Sequence, residues 1–209
     1  CLLSYLDFTN YWTIATYPAS TPVLKELVKN QADTSWCDDS VYAEKGYYEL
    51  VDAQDLYALA KLVNEGNNFF GKTIKLSADI FVNRGTASET GWTPTKATEN
   101  KKWIPIGKGN AFAGTFDGQG HTISGIYLDA TEQTTGLFAA TTTDAKLQDF
   151  RIENSYFKST KTELGSVVGS FGGTMERVYS KAFVAGADLA AVRVGGLIGL
   201  VSQEATVDT

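Results

Sequence analysis

The chain has 209 residues, room for one solenoid or one to two compact domains, and 43% of them are hydrophobic, enough for a core. A net charge of −6 excludes the usual basic signature of a partner for nucleic acid or an anionic membrane surface. With no run of about 18 apolar residues, no spanning helix or direct membrane insertion is expected.

Gly is plentiful at 20 residues, while Pro (4), Met (1) and His (1) are scarce, a balance that suits short strands joined by tight turns. No basic-plus-apolar leader is visible, so an export signal is expected outside this stretch. The two cysteines, Cys1 and Cys37, form no C-x-x-C. They could pair, but Cys1 reads better as a fragment boundary. In chain order, Tyr5-Leu6-Asp7-Phe8 and Tyr11-Trp12-Thr13-Ile14 read as short strands, and Pro22-Val23-Leu24 leads into a helical turn at 24–29. Residues 31–46 read as a polar linker with Trp36 as a packing anchor.

A short strand at 47–51 gives way to the one long helical period, Ala53–Asn64. Asp52 supplies a carboxylate for the free first-turn N–H groups, and Asp55 places negative charge near the same helix end. Leu56, Leu59, Ala60 and Val63 share one face, and Gly66 follows as a C′ residue. Thr73-Ile74-Lys75-Leu76 and Ile80-Phe81-Val82 resume strand alternation. Residues 83–102 form a long polar excursion containing Trp92 and Pro94, where a binding function would reside.

Within 114–129, the turn Asp117-Gly118-Gln119-Gly120 separates two period-2 segments, which alone would read as a hairpin. A repeat overrides that reading. Gly136-Leu137-Phe138-Ala139, Ser166-Val167-Val168-Gly169 and Gly196-Leu197-Ile198-Gly199 align at intervals of 30 residues. A looser element follows: Ile123-x-x-Ile126-x-Leu128, Leu147-x-x-Phe150-x-Ile152, Met175-x-x-Val178, with Val207 opening the next. Such a period marks a solenoid, and strand-like units within it predict a mainly β, parallel β-helix whose coils stack at about 4.8 Å. The Ala53–Asn64 helix is its expected cap. The pattern breaks off mid-coil at Thr209, so the solenoid is read as incomplete at its C-terminal end.

Gly196-Leu197-Ile198-Gly199 resembles the GLUG motif, named for Gly-Leu-hydrophobic-Gly. Trp103-Ile104-Pro105-Ile106-Gly107 and the segment from Phe112 through Gly125 are similar to what precedes GLUG repeats in many bacterial surface proteins. The helix followed by Gly71-Lys72-Thr73-Ile74 resembles the start of the same module, and Tyr11-Trp12-Thr13-Ile14 resembles its closing segment. The likeness divides the chain into a closing segment of a preceding module (1–30), a linker (31–46) and a GLUG-type module (47–209). It implies a right-handed β-helix in a secreted or cell-wall-attached bacterial protein, serving as adhesin or stalk. Implied partners are host glycans, surface or matrix proteins, or neighbouring modules. GLUG repeats also accompany IgA-cleaving zinc peptidases, but this chain has no H-E-x-x-H and a single histidine, which cannot furnish that site. Ser166 and Thr174 depart from the commonest repeat residues and blur the repeat boundaries.

Candidate chemistry is thin. His121 lies in a corner and reads as packing or surface; no triad can be assembled around it by spacing. Asp117 and Asp129 could pair as in polysaccharide-active β-helix enzymes, yet Asp117 belongs to a turn that favours Asp bonding its own backbone. Asp38, Asp39 and Asp79 form no calcium loop, and Gly107-Lys108-Gly109 no complete phosphate loop. Phe112, Phe116, Phe138 and Phe150 read as core. Thr131–135 and 141–143 read as solvated corners. Trp92 could stack on a sugar, although folding over the module's flank is the better reading. No catalytic, cofactor or metal residue is assigned. The expected function is non-catalytic. The alternatives are a carbohydrate-active lyase or glycosidase, which would need carboxylates or basic groups in register on one face and shows none, and a self-associating fibre or surface-layer subunit.

Overall fold

The computed structural model describes residues 12–14, 22–24, 32–97, 100–131, 134–160, 163–186, 193–202 and 204–208. The readings at Cys1, Tyr5–Phe8 and 25–29 lie outside the described residues. Strands β1 (Trp12–Ile14) and β2 (Pro22–Leu24) pair antiparallel.

The first coil contains two helices. Residues 31–46, expected to be a linker, include α1 (Asp39–Lys45). Asp38 caps it by accepting from the Ser40 N–H at 2.7 Å, and Gly46 ends it in the left-handed conformation. None of its residues is fully buried, so it carries no apolar period to read. Trp36 does anchor this stretch, stacking on Phe69 and meeting Tyr48 edge-on.

After β3 (Tyr48–Leu50), α2 (Ala53–Asn64) forms over the expected residues. Asp52 accepts from the Gln54 and Asp55 N–H groups. Leu56, Leu59, Ala60 and Val63 are all buried, and Gly66 follows the C-cap with φ 118°. Asp55 turns inward, accepting from the Val51 N–H at 2.7 Å. Burial chiefly pushes its pKa up to about 6, so its charge on the helix end is lost in mild acid. On the solenoid side, Tyr57 packs against Trp103, and Asn64 accepts from the Gly107 and Lys108 N–H groups. The helix therefore caps the start of the solenoid.

The next coil holds β4 (Thr73–Leu76), β5 (Ile80–Phe81) and a hairpin of β6 (Gly85–Ser88) and β7 (Gly91–Pro94). The third holds β8 (Thr115–Asp117), β9 (Thr122–Ser124), β10 (Tyr127–Ala130), β11 (Thr134–Thr135) and β12 (Phe138–Ala140). The fourth holds β13 (Lys146–Glu153), β14 (Tyr156–Ser159), β15 (Glu163–Leu164) and β16 (Val168–Phe171). The fifth holds β17 (Thr174–Ser180), β18 (Phe183–Gly186), β19 (Arg193–Val194) and β20 (Ile198–Val201), and β21 (Thr206–Asp208) follows.

Corresponding strands stack in parallel. The first sheet runs β3-β4-β8-β13-β17-β21, with β5 and β9 aligned beside it; the others are β10-β14-β18, β11-β15-β19 and β12-β16-β20. The chain is thus a mainly β, parallel solenoid of about 5 turns. Phe138, Val168 and Ile198 are direct register partners, which accounts for the 30-residue repeat. In this repeat Gly169 and Gly199 sit where a Cβ would come within 2.5 Å of the Thr135 nitrogen and 2.6 Å of the Leu164 nitrogen. The fourth motif position is small because the preceding coil's backbone fills the space.

β8 and β9 are not a hairpin. Both lie along β13, parallel to it. The intervening turn is a kink that recurs between coils: Gln119, Asp149 and Arg177 all have φ between 51° and 56°. The kink shifts one expected alignment. Leu147 pairs with Phe116 and Met175 with Leu147, so the row leads to Phe116 and not to Ile123, whose partner is Ile152. The Thr corners also differ from expectation. Thr135 and Thr141 are buried, and the Thr141 hydroxyl both donates to the Gly172 carbonyl and accepts from its N–H, tying adjacent coils.

Inside, Phe69, Phe112, Phe138, Phe116 and Phe150 form a continuous aromatic stack with centroids 5.2–6.5 Å apart. Each coil thereby buries its apolar side chains against its neighbours, the arrangement a solenoid requires.

Candidate functional site

Residues alternating with the buried rows of the first sheet face outward, and parallel pairing places like positions side by side. One such row reads Glu49, Lys75, Asp117, Gln148, Glu176, Asp208. Carboxylates are therefore in register on one face, contrary to expectation. Spacing missed them because the coils differ in length. Glu49, Asp117 and Glu176 are nonetheless engaged, Glu49 by Lys45 at 2.9 Å. Asp117 is buried and accepts from the Gln119 N–H (3.1 Å) and Nε2 (2.6 Å), the local turn its sequence implied. Glu176 pairs with Lys146 at 3.1 Å and Arg177 at 3.3 Å. Asp129 lies on β10, in another sheet, so Asp117 and Asp129 do not form a pair.

The kink row adds a second ladder. Arg177 Nε and Nη2 donate to the two Asp149 oxygens at 2.5 and 2.8 Å. This bidentate contact holds the Asp149 carboxyl below the usual carboxylate range. His121 Nδ1 lies 3.2 Å from Asp79, whose carboxylate also accepts from the Thr122 N–H. That backbone bond, then His121, lowers the Asp79 pKa. His121 thus braces a corner.

Beyond the kink, adjoining β13 and β17 residues enclose a groove of about 210 Å³ lined by Arg151, Ile152, Glu153, Tyr179, Ser180 and Lys181. Tyr179 is 51% exposed, and the Arg151 guanidinium carbon lies 5.8 Å from its ring centroid. Lys181 Nζ is 3.8 Å from Glu153. Sequence pattern did not reveal this groove. The left-handed residues Asp149 and Arg177 interrupt the alternation, so the faces of Arg151 and Tyr179 could not be counted from Leu147 or Met175.

Trp92 occupies the hairpin, on β7. Its ring stacks on Tyr127 with centroids 6.4 Å apart, and its other contacts reach Gly85, where a Cβ would meet the indole at 2.6 Å. The indole therefore lies over the flank. Asn154 fastens the hairpin: its carboxamide oxygen accepts from the Ala87 N–H and its nitrogen donates to the Gly85 carbonyl, both at 2.9 Å. Asn83 closes the base, donating to the Lys101 and Gly125 carbonyls and accepting from the Lys101 N–H. The hairpin is an appendage fastened to the coil at Asn83 and Asn154.

Asp38 caps α1, and Asp39 accepts from the Tyr48 hydroxyl. Gly107 and Lys108 give their N–H groups to Asn64. Phe112, Phe116, Phe138 and Phe150 are core, as expected. Among the described residues, no group of three or more His, Cys, Asp and Glu could hold a metal ion, and no helix is long and apolar enough to cross a membrane.

No family model and no solved structure matches the chain. Among curated proteins it is similar to Halomucin of Haloquadratum walsbyi, with 30% identity over 154 residues, or 73% of this chain. The chain spans about 2% of the length of that relative.

Proposed function

We propose that the chain is a non-catalytic β-solenoid module of a secreted or cell-surface protein, a stalk element that displays contact surfaces. The carrying observation is the first sheet, in which parallel coils stack in register with their outward charges largely paired to each other. Lys146–Glu176 and Arg177–Asp149 join successive coils there, and Arg193–Glu163 does so in the β11-β15-β19 sheet. Such a surface adds side-chain links between coils to the backbone ladder and leaves few poised acid–base groups. The similarity to a small part of a very long relative supports a modular, structural role. An extracellular location fits the same likeness.

The repeat is proposed to be of the GLUG type, since its small fourth residue meets the preceding coil. The match to a haloarchaeal protein does not carry the bacterial source implied by that resemblance. Adhesion is the finer proposal, with glycans, matrix proteins or neighbouring modules as partners. The test is a panel of glycans, mucins and matrix proteins, scored for retention of the purified chain and for released lyase or hydrolase products in the same wells. Retention without turnover is expected for an adhesive module. Product release would overturn the non-catalytic reading.

A further inference from the structure

We propose that the groove between β13 and β17 binds an acidic sugar unit, a hexuronate residue of a polysaccharide. The inference rests on the surface-module reading and adds a ligand class to it.

The groove combines the groups such a unit needs. Its volume of about 210 Å³ lies below the roughly 300–1,000 Å³ of drug-sized sites, which suits one ring of a longer chain. Tyr179 presents a half-exposed aromatic face beside the opening, an apolar platform for the C–H face of a pyranose. The Arg151 guanidinium lies over that ring, its carbon 5.8 Å from the centroid, and has no carboxylate partner among the described residues, unlike Arg177 and Arg193. Its planar guanidinium can take a carboxylate through two parallel N–H bonds. A sugar carboxylate reaching Arg151 also brings its ring against Tyr179.

The opposite wall serves the hydroxyls. Glu153 can accept from them, and the Ser180 hydroxyl, which accepts from the Ala182 N–H, can donate. Lys181, with its side chain 83% exposed and only a long 3.8 Å contact to Glu153, is free to swing toward a second carboxylate along the chain. Two cations against one carboxylate make this groove locally positive on a chain of net charge −6. That contrast favours an anionic ligand at this place over diffuse binding elsewhere.

The experiment titrates the full chain with tetragalacturonate and, separately, with neutral maltotetraose, following backbone amide resonances. The acidic oligomer is expected to shift Arg151, Tyr179 and Ser180 selectively and to bind more weakly as salt rises. Arg151→Gln and Tyr179→Ala should each weaken it about tenfold or more, while Tyr179→Phe keeps most of the affinity. Both positions are on the surface, and far-UV circular dichroism checks that each variant is folded. Equal binding of both oligomers, binding unmoved by either substitution, or no shift at the groove would each overturn the assignment. Those results leave the stalk reading standing, whereas release of cleaved sugar would overturn the non-catalytic reading.

Discussion

Replacing Phe116 with alanine tests whether the coils share one aromatic interior. Phe116 is 0% exposed and meets two other rings edge-on, Phe138 at 5.5 Å and Phe150 at 5.3 Å. Truncating a buried Phe costs about 3–5 kcal/mol, and favourable ring pairs add about 0.5–1.5 kcal/mol each beyond area burial. Phe150 belongs to the next coil, so the cavity cannot close by movement within one coil. The expected loss is therefore in the upper half of that range, about 4–5 kcal/mol. Gln148→Ala is the control: it lies next to Leu147 on the outward row and should change stability by about 0.5 kcal/mol or less. Urea unfolding is followed by far-UV circular dichroism and by tryptophan fluorescence, because a repeat array can lose two-state behaviour when one coil is weakened. A loss under about 1 kcal/mol for Phe116→Ala, or equal losses for both variants, would refute the shared interior.

Three further outcomes are expected. Asp52→Ala removes the cap of α2 and should cost about 1 kcal/mol in the same unfolding experiment; Asp52→Asn should recover most of it. Asp55 has its carboxyl pKa raised from 3.8 to about 6, so the folded state holds a proton that the unfolded state has released. Its contribution to stability should fall as pH rises through that window and level off above it. Asp55→Asn keeps an acceptor for the Val51 N–H and should flatten the pH profile there; an unchanged slope would assign the titration to another group. Asn154→Ala loses both bonds to the hairpin and puts alanine at φ 41°, costing about 1–3 kcal/mol. Amide exchange at Ala87 should accelerate well beyond that at Ile152, and equal rates would mean the clamp is idle.

The solenoid and its cap were legible because their signals are periodic. The helix at Ala53–Asn64 followed from its apolar spacing and Asp52, and the 30-residue interval survives as the register Phe138–Val168–Ile198. What escaped was set by departures from the period. The shared kink moved Ile123 onto Ile152 and hid the faces of Arg151 and Tyr179. α1 carried cap residues but no buried stripe, so 31–46 read as a linker. The clamps made by Asn64, Asn83 and Asn154 join residues 18 to 69 positions apart, and an isolated asparagine carries no sign of such a partner. Thr135 and Thr141 looked like solvated corners because a hydroxyl bonded across coils has the same sequence signature as one facing water.

Parallel stacking of the coils is open to direct test by oxidative cross-linking. In a background of Cys1→Ser and Cys37→Ser, two double variants separate the alternatives: Thr115→Cys with Lys146→Cys, and Thr115→Cys with Thr122→Cys. Thr115 and Lys146 are register partners on adjacent coils, within the roughly 4.4–6.8 Å Cα separation that a disulfide needs. Thr115 and Thr122 lie on consecutive strands of the same coil, opposite Lys146 and Arg151 of the next, and should not link. Rapid intramolecular bridging of the first pair and none of the second is the predicted result. Bridging of Thr115→Cys with Thr122→Cys instead would show an antiparallel hairpin at Asp117–Gly120 and contradict the solenoid.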